Sequence, residues 1–168
     1  MGTEARRVSG IVLAAGYSSR ARAFKMELDL AGRPVLHWVL ATMSRFVDEI
    51  VVVGGFRLDL TRGLAETFPR TGCAPEIRVV ENPDYATGMF SSVLAGARAI
   101  TPGRAAFLIP GDCPLVRPEV YQALLGSSAS VLIPQAGGRK GHPVLLAPEA
   151  VAALAGTAVA DAAGSNPQ

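Results

Sequence analysis

Short apolar runs alternate along this chain with stretches of helical periodicity. The runs at 11–15 (Ile-Val-Leu-Ala-Ala), 49–53, 77–80 and 105–110 carry little polar alternation, the pattern of strands buried on both faces of a parallel sheet. Between them, Leu36, Val39, Leu40, Met43 and Val47 predict a helix over about 34–46, with Pro34 in its first turn. Leu60, Leu64 and Phe68 predict a second helix ended by Pro69, and Val93, Leu94, Ala97 and Ile100 a third. A fourth begins at Pro118 with the Val120, Tyr121, Leu124, Leu125 stripe, and a short fifth covers 148–154. Further extended pieces fall at 28–30, 129–134 and 142–146. Residues 81–92 and the Gly-rich basic stretch 135–141 read as loops. At least four strand–helix alternations predict a three-layer α/β/α sandwich with a mainly parallel sheet, the Rossmann-like class.

Length and composition narrow this picture. The chain has 168 residues, 49% of them hydrophobic, enough for one domain with a real core, expected over 1–168. Residues 156–168 are Ala/Gly-rich with almost no large apolar side chain and are expected to be frayed or disordered. No apolar run approaches a membrane span. A net charge of +2 argues against a nucleic-acid surface built by bulk charge. Cys73 and Cys113 lack C-x-x-C spacing, so neither a disulfide framework nor a zinc site is expected. The first ten residues lack the apolar core of a signal peptide and match a myristoylation site poorly, which points to the cytoplasm.

The candidate chemistry begins where the first strand ends. Gly16 opens a polar loop with Ser18, Ser19, Arg20, Arg22 and Lys25. A buried strand that runs into a glycine turn and a cationic loop can meet a phosphate with backbone N–H groups and neutralise it with Arg and Lys. The same residues also describe a solvated surface loop after a core strand. Neither G-x-G-x-x-G nor G-x-x-x-x-G-K-[ST] is present. His37 reads as a helix-surface histidine or a ligand. Ser91 and Ser92 read as helix caps or as contacts to a ribose or phosphate. Asp112, in G-D-C-P after the fourth buried strand, lies where an open α/β sheet gathers ligands; it suits a hard cation, or an Asx turn. His142, at a loop-to-strand junction, reads as a ligand-positioning or a structural residue.

The order of the motifs says more than any one of them. L-A-A-G-x-S-x-R-x(4)-K at 13–25 is followed by G-R-P-V-L at 32–36, N-P-x(4)-G-M-x-x-S at 82–92, G-D-x-P at 111–114 and G-H-P-V-L at 141–145. Over roughly residues 8–150 this resembles the molybdenum cofactor cytidylyltransferase branch of the molybdopterin-guanine dinucleotide biosynthesis protein A-like nucleotidyltransferases. Two positions depart from the family loop: Ala21 stands where Met or Phe is usual, and Arg22 replaces a glycine, either costing the loop its close approach to phosphate or adding a contact.

The resemblance implies the nucleotide-diphospho-sugar transferase fold and a reaction. The phosphate of molybdopterin attacks the α-phosphorus of a nucleoside triphosphate, and pyrophosphate leaves. Transfer of this kind rests on positioning and charge neutralisation rather than on a general base. By position, Leu13, Ala14, Ala15, Gly16 and Ser18 would cradle the nucleotide, and Arg20 and Lys25 would neutralise its phosphates. Asp112 would bind Mg²⁺, Gly88 and Ser92 would line the base and ribose side, and His142 would face the acceptor. Ala15, where guanylyl relatives more often carry Gly, favours CTP over GTP. A further acidic element of the family, D-x-D-T-P-x-D, has no counterpart here; the late acids are Glu149 and Asp161. The implied site is therefore half of a metal pair, with weak or lost turnover and an apolar patch as expectations. Two other readings stand beside this one: a nucleotidyltransferase acting on another phosphorylated small molecule, and a nucleotide- or cofactor-binding protein that serves a molybdoenzyme.

Overall fold

The structure, a computed structural model, describes residues 7–16, 24–70, 72 and 74–158. The candidates Ser18, Arg20 and Arg22 lie outside the described residues, as do Cys73 and Asp161.

Strand β1 (Val8–Ala14) is buried along its whole length and occupies the middle of a six-stranded sheet. The hairpin β2 (Asp29–Leu30) and β3 (Arg33–Pro34) leads into helix α1 (Val35–Met43). Strand β4 (Glu49–Gly54), helix α2 (Leu58–Glu66), strand β5 (Glu76–Glu81), helix α3 (Met89–Ala99) and strand β6 (Ala105–Pro110) follow. Helix α4 (Pro118–Leu125), the short strands β7 (Val131–Leu132), β8 (Gln135–Ala136), β9 (Arg139–Lys140) and β10 (Val144–Leu146), and helix α5 (Pro148–Gly156) complete the described chain. The sheet order is β5-β4-β1-β6-β10-β7. Its first four strands are mutually parallel, and β10 runs antiparallel to both its neighbours.

Strand periodicity divides the core. Val12, Ile50, Val52, Phe107 and Ile109 face α1, α2 and α4 on one side, while Ile11, Leu13, Val51, Val53 and Ala106 face α3 and α5 on the other. The expected three-layer architecture is therefore present. At the end of the sheet opposite the candidate loops, the buried Glu49 carboxylate ties strands and loops together. It accepts from the Ser9 hydroxyl at 2.7 Å, from the Thr101 N–H at 2.7 Å and from Arg78 at 3.0 Å, with Arg104 at 3.5 Å. Burial, the largest influence on this group, favours the neutral acid, but the donors from Ser9, Thr101 and Arg78 together outweigh it and hold the pKa down to about 2.

Several expectations change. The strand expected over 129–134 contracts to Val131–Leu132, because β10 offers only Val144–Leu146 for pairing. The stretch 135–141 is a β8–β9 hairpin, turned by Gly137 and Gly138 at φ 55° and 75°. His37 is not a surface histidine: it is buried, its Nε2 lies 2.8 Å from the Leu64 carbonyl, and its ring packs edge-on against Phe68. Helix α3 starts at Met89, four residues before the predicted stripe, and neither Ser91 nor Ser92 caps it. Residues 156–158 are described, and Arg98 Nε donates to the Ala155 carbonyl at 3.1 Å and its Nη2 to that of Thr157. Among the described residues no helix is long and apolar enough to cross a membrane.

Candidate active site

In a parallel sheet the strand ends on one side gather the loops that carry chemistry. Here the carboxyl ends of β1, β4 and β6 are laced together by main-chain bonds. Gly111 N–H donates to the Leu13 carbonyl at 2.8 Å, Phe56 N–H to that of Ala15 at 3.1 Å, and Asn82 N–H to that of Gly54 at 2.8 Å. Gly55 makes this close approach possible: a Cβ there would stand 2.7 Å from Tyr85 Cβ and 2.9 Å from Ala15 Cβ. Above these strand ends lies a cavity of about 330 Å³.

Its floor is Leu13, Ala15 and Gly16 from the end of β1. On the β6 side stand Lys25 and Met26 from a 3-10 turn, with Pro110 and Asp112. On the β4 side stand Tyr85, Ala86, Gly88, Met89 and Ser92. Lys25 Nζ and Asp112 Oδ2 are 3.2 Å apart, and both side chains are partly exposed. An ion pair so wetted contributes little to stability, on the order of 1 kcal/mol or less; its interest lies in putting a cation and a carboxylate on one wall. The charges also reach their neighbours. Burial pushes the Cys113 thiol up, Asp112 adds to the shift, and Lys25 offsets part of it.

Of the residues singled out from sequence, Leu13, Ala15, Gly16, Lys25, Gly88, Ser92 and Asp112 meet in this one cavity. Ala14 belongs instead to the core on the α1/α2/α4 face. His142 does not line the cavity; partial desolvation lowers its pKa, and the attraction of Asp112 offsets part of that shift. Tyr85, Met26 and Met89 were not anticipated, and neither was Asn82, whose buried amide organises the β4-side wall: its Nδ2 donates to Ser91 Oγ at 2.9 Å and Ser92 Oγ at 3.0 Å. Gly88 enters α3 at φ 123°, a conformation open to glycine. The N-P and G-M of the motif at 82–92 were the available signal for this wall.

The donor set bears on a metal. Among the described residues no three His, Cys, Asp or Glu side chains cluster to hold an ion. Asp112 is the carboxylate that lines the cavity. Mg²⁺ commonly takes one or two carboxylates and fills its octahedron with phosphate oxygens and water, so the set fits an ion that arrives with a triphosphate.

The fold is shared with a solved nucleotidyl transferase from Methanothermobacter thermautotroptrophicus, at a TM-score of 0.70 and 22% identity over 89% of this chain and 75% of that one. A family model described as the MobA-like NTP transferase domain matches residues 10–166, and the chain belongs to that family. It is 29% identical over 137 residues to the molybdenum cofactor cytidylyltransferase of Escherichia coli K12, covering 81% of this chain and 68% of that one. Among solved structures it superposes on Rv0371c from Mycobacterium tuberculosis H37Rv with a TM-score of 0.73 at 22% identity, covering 92% of this chain and 78% of that one. A second structure of that protein is a complex with manganese, at a TM-score of 0.68, 21% identity and coverages of 90% and 76%. The molybdopterin-guanine dinucleotide biosynthesis protein A from Archaeoglobus fulgidus matches at a TM-score of 0.61 and 22% identity, over 87% of this chain and 70% of that one. At these identities the superpositions speak for the shared fold.

Proposed function

We propose that this chain transfers a nucleotidyl group, CMP in preference to GMP, from a nucleoside triphosphate to the phosphate of molybdopterin. The observation that carries the reading is the Lys25–Asp112 pair on the wall of the strand-end cavity, at the positions the family motifs assign to phosphate and metal. A phosphate oxygen of the acceptor bonds to the α-phosphorus, the bond between that phosphorus and its bridging oxygen to the β-phosphate breaks, and pyrophosphate carries the electron pair away. The acceptor oxygen is already anionic, so the chain's task is to bind, orient and neutralise.

Ala15 and Gly16 bring backbone to the nucleotide, with Leu13 beneath. Lys25 exchanges its carboxylate partner for phosphate oxygens, which leaves Asp112 to hold Mg²⁺ together with the triphosphate. An ion held there would supply charge neutralisation to the triphosphate. Gly88 and Ser92 take the base and ribose side. Ser18 and Arg20, from the motif at 13–25, add contacts to the nucleotide, and His142 faces the acceptor. The protein would act in the cytoplasm, with a molybdoenzyme as recipient of its product and no part for nucleic acid or membrane.

Calorimetric titration with CTP and GTP, each with and without Mg²⁺, tests this. Mg²⁺-dependent binding that prefers CTP, lost in Asp112→Ala, is expected; binding of neither nucleotide refutes it. One observation favours a second reading: Asp112 is the one carboxylate on the cavity among the described residues. On that reading the protein binds nucleotide or cofactor but turns over weakly, or uses another phosphorylated acceptor. A panel of acceptors assayed with CTP separates these outcomes.

A further inference from the structure

The β4-side wall has a hydrogen-bond polarity fixed by the main chain. The Asp84 N–H donates to Asn82 Oδ1 at 3.0 Å, and since a backbone N–H can only donate, the oxygen of this amide is pinned there. Its NH₂ must then face the two serines, and both hydroxyl oxygens accept from it. Ser91 spends its own proton on the carbonyls of Gly88, at 2.8 Å, and Asp84, at 3.0 Å. Ser92 makes no such bond, although it lies on the same helix turn. Its hydroxyl proton has no acceptor among the described residues, and the side chain is 4% exposed and lines the cavity.

We propose that Asn82 fixes the Ser92 hydroxyl as a donor into the cavity, so that this end of the site reads an acceptor, the ring carbonyl of a pyrimidine nucleotide. The inference rests on the nucleotide-binding reading and adds to it a positioning residue that acts through Ser92. The placement supports a base rather than a phosphate. Lys25 pairs with Asp112 just beyond β6, whereas Ser92 is tied through Asn82 to the end of β4, so the charged pair and the hydroxyl belong to different walls of the cavity. Cytosine carries one ring carbonyl, at C2. Guanine carries an amino group at C2 and its ring carbonyl at C6, so a guanine seated like the cytosine meets the hydroxyl proton with a donor where cytosine offers an acceptor. A buried donor left without its acceptor costs enough to give roughly tenfold discrimination.

The test changes the polarity and keeps the shape. In Asn82→Asp the group facing the serines becomes an acceptor, so Ser92 turns its proton away from the cavity and presents lone pairs there. The added negative charge weakens every triphosphate alike, and the CTP-to-GTP affinity ratio cancels that effect. Calorimetric binding with Mg²⁺ should show the ratio falling roughly tenfold in Asn82→Asp and in Ser92→Ala. In a Ser92→Ala background, Asn82→Asp should leave the ratio where Ser92→Ala put it, since the residue acts through that hydroxyl. Should Asn82→Asp lose its fold by circular dichroism, wild type supplies the reading: 2-thio-CTP, whose sulfur is a poor acceptor, should bind several-fold more weakly than CTP, with no such gap in Ser92→Ala. A ratio unmoved in Asn82→Asp, a further change in the Ser92→Ala background, or equal binding of CTP and 2-thio-CTP overturns the proposal while nucleotide binding stands. A wild type that binds neither CTP nor GTP refutes the nucleotide reading itself, and this one with it.

Discussion

Glu49 offers the most quantitative prediction. Its carboxylate is about 5% exposed and is held to a folded pKa of about 2 against an ordinary 4.5. Because the folded value is the lower one, the ionised group stabilises the fold fully above 4.5, and that stability is lost as pH falls from there toward 2. The gap of 2.5 units (4.5 − 2) corresponds to about 3–4 kcal/mol at about 1.4 kcal/mol per unit. Glu49→Gln keeps the volume and an oxygen for Ser9 and Thr101 but removes the charge that Arg78 and Arg104 face. The variant should therefore be less stable than wild type by about 3–4 kcal/mol at neutral pH. The difference should close as wild type itself becomes protonated. Urea unfolding followed by circular dichroism, run on both proteins at a series of pH values from neutral down to about 2.5, measures it. A wild-type advantage that stays constant with pH, or is negligible at neutrality, would show that the ionised carboxylate does not carry the anchor.

Other perturbations follow from the same coordinates. Gly55→Ala forces Tyr85 and Ala15 apart at the cavity floor, so Mg²⁺-CTP affinity should fall at least tenfold in calorimetry while the far-UV spectrum stays that of wild type; unchanged affinity would show that the floor yields without cost. Gly96→Ala drives a methyl group on α3 into Ile11 of β1, and should lose about 1–2 kcal/mol in urea unfolding despite the better helix propensity; a raised midpoint would contradict the close packing. Tyr121 is fully buried between Phe46 and Phe107, its hydroxyl has no partner among the described residues, and burial pushes its pKa far up. Tyr121→Phe should thus be neutral or stabilising by up to about 1 kcal/mol, and a larger loss would reveal a bound water.

The sheet was legible because its signal is local. Apolar runs with little alternation fit strands covered on both faces, as β1 and β4 are, and the helical stripes between them required crossovers. The β8–β9 hairpin reads as a loop in the sequence, because Gln135–Ala136 and Arg139–Lys140 carry no apolar alternation; Gly137 and Gly138 mark its turn alone. What escaped depends on contacts distant in the chain. His37 is buried because the end of α2 places the Leu64 carbonyl over it, and nothing near residue 37 shows that. Glu49 reads as a polar strand start until Ser9, Arg78, Thr101 and Arg104 converge on it from separate segments. In the site, the motifs located Lys25, Gly88, Ser92 and Asp112, but not the amide that orients a hydroxyl. Asn82 looked like a loop-forming residue beside Pro83, and its function as an oriented donor emerges only when the Asp84 N–H fixes which way it faces.

The central position of β1 sets a timetable for biosynthesis. Ser9 pairs with Glu49 on one side and with Ala106 on the other, so β1 has an open edge until β6 has been synthesised. Until then a growing chain carries an apolar strand with unpaired backbone groups, the kind of surface on which nascent chains associate and chaperones act. The cavity inherits the same delay: Leu13, Ala15 and Gly16 of its floor are made well before Asp112 of its wall. No shorter nascent fragment holds both, so capacity to bind a ligand at this site arises late and all at once, together with closure of the sheet.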